Sequence, residues 1–349
     1  MAAVDAVIGP DASAEAVADT QADNRGRFAS APWQIPWRGW RDVLLRVKEE
    51  AALDNLQLIA AGMAFYAMLS VAPALAVIIS VYGLLTSPEA LTRQMVVLSS
   101  YLPDEARALV EDQLAELMST AETNLGWGLV ASAMISLWSA SRAMKSLFGG
   151  LNAVYDERET RGWFWLTLQS VTFTLAGILL LVLTLATLTV VPLAVDYLPI
   201  SNFNAILIRF LSTAVVSLVV LAGLAVLYRY GPSRTRAHWR WVIIGALVAW
   251  VTWIAASGGL SWYVSNFDSY QRTYGALGAV AILLMWFFVS AYAMLLGGEL
   301  NAELEHQTQQ DSTVGPEQPM GERGAVMADQ LGAIPRWRKR KLAVPPVNE

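Results

Sequence analysis

Long uncharged apolar runs dominate this sequence and restrict what it can fold into. Residues 60–83 read AAGMAFYAMLSVAPALAVIISVYG, and the uncharged stretch extends over 56–85. A helix rises about 1.5 Å per residue, so a run of this length crosses the roughly 30 Å hydrocarbon core of a bilayer. The composition agrees, since 55% of the 349 residues are hydrophobic and only 15% are charged. The sequence therefore predicts a membrane protein.

Pro73 lies in the middle of this first run, where it removes one helical hydrogen bond and frees the carbonyl of Leu69. Neighbouring helices or hydroxyl groups can satisfy such a carbonyl inside a membrane, and Ser70 is adjacent to it. We expect a kink at Pro73, either as a packing irregularity or as a functional hinge.

Further runs of similar character predict an all-α, polytopic protein with six transmembrane helices. The expected spans are about 56–85, 125–141, 163–195, 205–227, 241–265 and 273–298. All but four of the 24 lysines and arginines fall on one side of these spans. Because cytoplasmic connections carry the excess of basic residues, both termini are expected in the cytoplasm, with the protein multi-pass in the plasma membrane.

The segments outside the spans differ in composition. Residues 1–35 are predicted to be a disordered cytoplasmic N-terminus, followed by a membrane domain over 36–305. Residues 36–54 have an amphipathic pattern that fits either a helix lying along the inner leaflet or a short helix packed on the bundle. An outer helical loop is expected at 86–124. Residues 306–349 are predicted to be a disordered tail whose basic cluster, RWRKRK at 336–341, contacts anionic lipid of the inner leaflet; nucleic acid is not an expected partner.

The inventory of reactive side chains argues against an enzyme. The chain has no cysteine and two histidines, and no metal-ligand spacing, nucleotide-binding loop or nucleophile motif is present in its sequence. We therefore predict no catalytic residue, no metal and no cofactor.

Candidate residues for transport are few, because the ionisable side chains cluster near the span ends. A relay of buried carboxylates is therefore not expected. Ser132, Ser136 and Ser139 share one face of the second span and continue to Arg142, so this face either lines a path or lets helices approach closely. Glu299 is expected either to form an ion pair with Arg142, Lys145 or Arg229, or to reach water independently.

Four segments together resemble the YihY/BrkB family of bacterial inner-membrane proteins. They are AAGMAFYAMLSVAP (60–73), LWSASRAMKSLFGGLNAVYDERETRGW (137–163), LYRYGPSRTRAHWRWVIIGA (227–246) and TYGALGAVAILLMWFFVSAYAMLLGGELNAELE (273–305). The likeness covers about residues 40–305. The resemblance implies six spans. It implies no reaction, because the earlier label ribonuclease BN is regarded as mistaken for this family. One branch of the family is named for virulence or serum resistance.

Two functions are compatible with these patterns. The first is a transporter or exporter of a small solute or lipid-like molecule, which requires a cavity reaching mid-membrane beside the second and sixth spans. The alternative is a non-transporting scaffold or envelope-integrity (serum-resistance, virulence) factor, which requires a tightly packed bundle. The candidate functional or gating positions are Ser70, Pro73, Ser132, Ser136, Ser139, Arg142, Asn152, Tyr155, Arg229, Tyr274, Gly275, Glu299 and Asn301.

Overall fold

The structure, a computed structural model, describes residues 24–85, 127–197, 202–266 and 276–333. These residues form helices and no strand, apart from one isolated bridge between Ala237 and Thr313. A 3-10 turn at Pro32–Gln34 precedes the first α-helix. The α-helices are α1 (Trp37–Leu53), α2 (Leu56–Leu85), α3 (Trp127–Val154), α4 (Trp163–Tyr197), α5 (Asn202–Tyr230), α6 (Trp239–Asn266), α7 (Ala276–Glu305) and α8 (Val326–Asp329). The all-α prediction is confirmed for the described part of the chain.

Helices α2 and α4–α7 are long and apolar enough to cross a membrane. Within the described ranges, the five candidate spans are Leu56–Leu75, Trp163–Thr187, Phe203–Tyr230, Trp239–Val264 and Val280–Glu305. Helix α3 is not among them, because serines, Arg142 and Lys145 dilute its apolar content. The prediction of a membrane protein with several apolar helices is confirmed, and the sixth span remains a prediction.

Helix α7 occupies the centre of the bundle. It contacts α1, α2, α3, α6 and α8, while α4 and α5 complete the ring by packing between α3 and α6. The buried core includes Phe148, Leu151, Tyr228, Trp241 and Leu295. These residues lie near the end of the bundle at which α2, α4 and α6 begin and α3, α5 and α7 end; we call it the capped end.

Two non-glycine residues with left-handed backbone close helices at the capped end. Asn55 (φ 53°) separates α1 from α2, and its carbonyl accepts hydrogen bonds from the amides of Leu58 (2.8 Å) and Ile59 (3.2 Å). Asp156 (φ 53°) follows the end of α3. Asn and Asp adopt this conformation more readily than other side chains, which lets these connections turn tightly.

Helices α6 and α7 approach unusually closely. A Cβ atom built on Gly245 would collide with the backbone carbonyl of Gly297, and the converse also holds. Small residues at such positions allow two membrane helices to come into van der Waals contact over their backbones. The Asn301 side chain secures the contact, accepting from the Gly245 amide at 2.7 Å and donating to the Val242 carbonyl at 3.2 Å.

The prediction of disordered terminal segments is wrong for residues 24–35 and 306–333. These two segments pair with each other and cover the capped end; the Gln309 amide donates to the Arg27 carbonyl at 2.7 Å, and Thr308 Oγ1 donates to the Ala29 carbonyl at 2.7 Å. The two segments are 279 residues apart at the latter bond. Low local hydrophobicity did indicate that neither forms a core alone, but it could not show that they satisfy each other's polar groups.

Of the two interpretations offered for residues 36–54, packing on the bundle is realised. Helix α1 contacts α7 through its buried face, which contains Val43, Arg46 and Val47. The opposite face leaves Trp37 exposed. The predicted outer helical loop at 86–124 lies outside the described residues.

Helix α2 continues through Pro73 without ending. Ser70 is buried, and its hydroxyl donates to the Tyr66 carbonyl at 2.8 Å, one turn earlier. Ser70 therefore bonds within its own helix, and the kink at Pro73 stays a prediction.

Candidate functional site

The structure brings four of the thirteen candidate residues to the capped end around the end of α7: Asn152, Tyr155, Glu299 and Asn301, all buried. Arg229 lies nearby at the end of α5. Ser136 and Ser139 are half-buried on α3, and Arg142 is exposed, with its guanidinium 5.1 Å from the centroid of the Trp138 ring. Ser132 belongs to α3, but its side chain is outside the described residues, as are Tyr274 and Gly275.

The environment of Glu299 differs most from the one that the sequence predicted. It is 0% exposed, and neither carboxylate oxygen accepts a hydrogen bond in the described part of the chain. The predicted ion pair with Arg142, Lys145 or Arg229 is wrong. Lys145 instead donates to Thr167 Oγ1 at 2.9 Å, and Arg229 stacks on Trp239 with 4.4 Å between guanidinium and ring centroid. Both cations are therefore held by contacts that do not involve Glu299.

Four other carboxylates repel the Glu299 carboxylate: Glu303, Asp54, Glu50 and Asp156. Burial, and then repulsion from Asp156, raises the pKa of Asp54 above its ordinary value. Burial, followed by Glu303 and Asp54, likewise raises the pKa of Glu50. Among the described residues, no group of three or more His, Asp or Glu side chains is arranged to hold a metal ion. The described acidic side chains near Glu299 therefore lack the geometry of a metal centre.

Two further glutamates of α7 are buried in ion pairs, which sequence reasoning missed. Glu303 pairs with Arg46 of α1, whose Nη2 also donates to Gln307 Oε1 at 2.8 Å. Glu305 accepts from Arg234 at 2.5 Å and from the Ser312 hydroxyl at 2.6 Å. The only sequence signal was the placement of acidic residues directly after a long apolar run, and it does not identify the partners.

Asn152 joins the connections that meet at the capped end. Its Oδ1 accepts from the Ser233 amide at 2.8 Å, and its Nδ2 donates to Glu159 at 2.9 Å. Although burial opposes ionisation, hydrogen bonds from Arg161 and then from Asn152 lower the pKa of Glu159 to about 2. Asn152 therefore acts as a positioning residue for both loops.

Tyr155 follows α3 and is fully buried. The Arg234 guanidinium lies 4.3 Å from its ring centroid, and burial raises the pKa of the phenol well above its ordinary value.

Two large cavities open at the capped end. One of about 920 Å³ lies between α4, α5, the connection 231–238 and residues 324–329. The other, of about 840 Å³, lies between α1, α2 and α7, and is lined by Leu44, Lys48, Leu58, Phe288 and Tyr292 among others. Among the described residues, no side chain of α3 lines either of these two cavities, so neither is the mid-membrane cavity expected beside the second and sixth spans.

Comparison with known proteins places these features in a family. Residues 47–321 match the family model described as "Virulence factor BrkB". The chain belongs to the BrkB family. The match extends beyond residue 305, where the sequence resemblance was expected to end, into the ordered segment that covers the capped end.

Curated relatives of this BrkB-family protein carry different names. It is 30% identical to "Putative ribonuclease-like protein YfkH" of Bacillus subtilis over 253 residues, 70% of this chain and 88% of that protein. It is 25% identical to a "UPF0761 membrane protein" of Tolumonas auensis over 80% of this chain and 85% of the relative. A third relative, a "UPF0761 membrane protein" of Aliivibrio fischeri, is 29% identical over 76% and 84% of the two chains. No solved structure matches this chain.

Proposed function

We propose that this BrkB-family protein is a transporter or exporter of a small solute or lipid-like molecule, in which Glu299 binds and releases a cation such as a proton. The observation that carries the proposal is the Glu299 carboxyl group, fully buried on an apolar helix without a hydrogen-bond partner in the described ranges. Ionisable groups inside membrane helices are costly, and they commonly mark an ion or substrate pathway.

The neighbouring glutamates supply the contrast that supports a functional role. Glu303 and Glu305 are also buried, and each has an arginine partner. A buried carboxylate that serves stability is paired in this way, because an unpaired charge in an apolar surrounding costs several kcal/mol. Glu299 lacks that compensation, so an exchangeable cation is the group that would neutralise it.

We propose a six-span topology for this transporter, with the capped end in the cytoplasm of a bacterial plasma membrane. Helices α2 and α4 both begin at the capped end, so a return crossing by α3 would connect them. The basic residues of the connections and termini support the cytoplasmic assignment.

The test compares cells that lack the gene with cells producing the wild type, Glu299→Gln or Glu49→Gln. Glu49 is an exposed glutamate of α1 and provides the matched control. We expect untargeted analysis of metabolites and lipids to reveal a compound retained by the deletion strain and by Glu299→Gln, and released by the wild type and the control. Release by Glu299→Gln at the wild-type rate would reject the role of Glu299.

A scaffold or envelope-integrity factor is the second candidate. The backbone contact of Gly245 with Gly297 and the ordered cover of the capped end favour it, since both make a tightly packed bundle. This function predicts that Glu299→Gln restores serum or detergent resistance of a deletion strain as fully as the wild type does. We propose no ribonuclease activity, although the relative YfkH is named ribonuclease-like; purified protein with Mg²⁺ or Mn²⁺ should leave RNA intact.

A further inference from the structure

The 920 Å³ cavity has a charge distribution that the proposed function does not use. Four arginines are among its lining residues, against two carboxylates: Arg161, Arg229, Arg234 and Arg236, with Glu157 and Asp329. Such an excess of one charge within a concave surface raises the local concentration of anions.

Two of the arginines already have carboxylate partners. Arg234 pairs with Glu305 at 2.5 Å, and Arg161 pairs with Glu159 at 2.7 Å. These guanidinium groups are held in place, and their charges are largely compensated.

The two carboxylates on the wall are likewise engaged elsewhere. Glu157 Oε1 accepts from the Val326 amide at 2.8 Å. Asp329 Oδ1 accepts from the amides of Gly321 (2.8 Å) and Arg323 (2.9 Å). Their oxygens therefore bind backbone of the 321–329 segment, and they form no ion pair with the remaining arginines in the described part of the chain.

Arg229 and Arg236 are thus the uncompensated charges. Arg229 Nε and Nη1 are buried and donate no hydrogen bond within the described ranges. Stacking fixes both groups, with Arg229 over Trp239 at 4.4 Å and Arg236 over Tyr230 at 4.9 Å. Buried guanidinium donors without acceptors are costly, and a phosphate or carboxylate oxygen supplies the geometry that they match best.

The rest of the cavity wall indicates which anion fits. Away from the loops, the lining continues to Phe173 of α4 and Val226 of α5, which lie inside two of the apolar spans. An occupant therefore meets arginines at the capped end and apolar side chains towards the membrane interior.

We propose that this cavity binds the phosphate group of an anionic membrane lipid, with Arg229 and Arg236 as ligands and the apolar wall at Phe173 and Val226 in contact with the acyl chain. Free phosphate shares the headgroup chemistry but would leave the apolar part of the cavity unfilled.

The experiment uses the full chain purified in detergent and native mass spectrometry with three probes: dioleoyl phosphatidylglycerol, dioleoyl phosphatidylcholine and inorganic phosphate. The test variant is Arg229→Gln with Arg236→Gln. The control is Arg41→Gln with Arg158→Gln, which removes the same charge from two exposed arginines outside the lining.

We expect phosphatidylglycerol to remain bound to the wild type and the control. Its affinity for the test variant should be at least about tenfold weaker, since charge-assisted hydrogen bonds to the phosphate are lost. Phosphatidylcholine should bind weakly because its choline cation is repelled by the arginines. Tight binding of inorganic phosphate that displaces phosphatidylglycerol would support the phosphate site and overturn its assignment to lipid.

Equal retention of phosphatidylglycerol by the test variant and the control would overturn the proposal. Arg236→Gln alone covers the case in which the double variant fails to fold, because Arg236 is exposed. A loss of about tenfold is expected for that single change, and an unchanged affinity would count against the site.

Discussion

Three glutamates near the end of α7 have the same side chain and different environments. Glu303 and Glu305 are buried against Arg46 and Arg234, whereas Glu299 is buried without a described partner. Loss of the partner arginine is therefore expected to lower the stability of the protein through Glu303 or Glu305. Loss of the Glu299 charge is expected to lower the proposed transport instead. Removal of the partner arginine therefore tests the stabilising role of Glu303 and of Glu305.

Replacing Arg46 with Met leaves the Glu303 charge buried without its arginine partner, with His306 Nδ1 3.4 Å from its other oxygen. We expect the free energy of unfolding to fall by about 3–5 kcal/mol, measured from thermal or denaturant unfolding in detergent. Arg41→Met, an exposed change on the same helix, should alter it by less than about 0.5 kcal/mol. The double variant Arg46→Met with Glu303→Leu should recover most of the loss, and a double variant as unstable as the single one would contradict this account.

Glu159 makes the stability depend on acid pH. Its pKa is lowered from 4.5 to about 2 in the folded protein, so it stabilises the fold fully above pH 4.5 and progressively less as the pH falls towards 2. The wild type should therefore melt at a higher temperature than Glu159→Gln at pH 6, and this difference should shrink between pH 4.5 and 2. A difference that is constant with pH would show that the ionised form is not favoured by folding.

At the element scale, the paired segments 24–35 and 306–333 form a strap across α1 and α7. Arg27 Nη2 donates to the Gly332 carbonyl at 2.6 Å, and Gln307 Nε2 donates to the Arg25 carbonyl at 2.8 Å. The Thr308 hydroxyl donates to the Ala29 carbonyl. The strap covers the Arg46–Glu303 ion pair, since Arg46 also contacts Gln307. Its contribution to stability is thus tied to keeping that pair away from water.

Truncation after residue 305 removes the strap, and truncation after residue 333 leaves these contacts in place. We expect the shorter chain to lose several kcal/mol, because each hydrogen bond contributes about 1 kcal/mol and the partners on residues 24–35 are left without acceptors or donors. The readouts are the thermal midpoint in detergent and the rate of proteolysis near residues 24–35. Equal midpoints for the two truncations would refute a stabilising strap.

At the scale of the whole molecule, the proposed topology places every connection of the capped end in the cytoplasm. The chain has no cysteine, so single cysteines report accessibility without background labelling. Arg158→Cys and Glu317→Cys, both exposed at the capped end, should react with a membrane-impermeant thiol reagent only after cells are permeabilised. Phe203→Cys and Asn266→Cys lie at the ends of α5 and α6 that are far from the capped end, and they should react in intact cells.

The reverse labelling pattern would place the capped end outside. Reaction of all four positions in intact cells would show that α4, which separates Arg158 from Phe203, and α7, which separates Asn266 from Glu317, do not cross.

Several features of the molecule could be predicted from the sequence because they depend on local composition. The membrane interior offers no water to hydrogen-bond the backbone amides of an uncharged run, so such a run must be helical. Helices α2 and α4–α7 follow from that requirement alone. The amphipathic pattern of α1 and the resemblance of four segments to one family were also readable along the chain.

The tertiary structure decided which polar groups meet, because those contacts join residues far apart in sequence. Arg46 and Glu303 are 257 positions apart, and Thr308 and Ala29 are 279 apart. Composition could not show that Glu299 would remain without a described partner while its neighbours were paired. Local composition was enough to predict a helical membrane protein of this family and to name Glu299 as a candidate. Burial and pairing depend on helix packing, so the folded structure was needed to show that Glu299 is buried without a described partner and that arginines line a cavity beside α4 and α5.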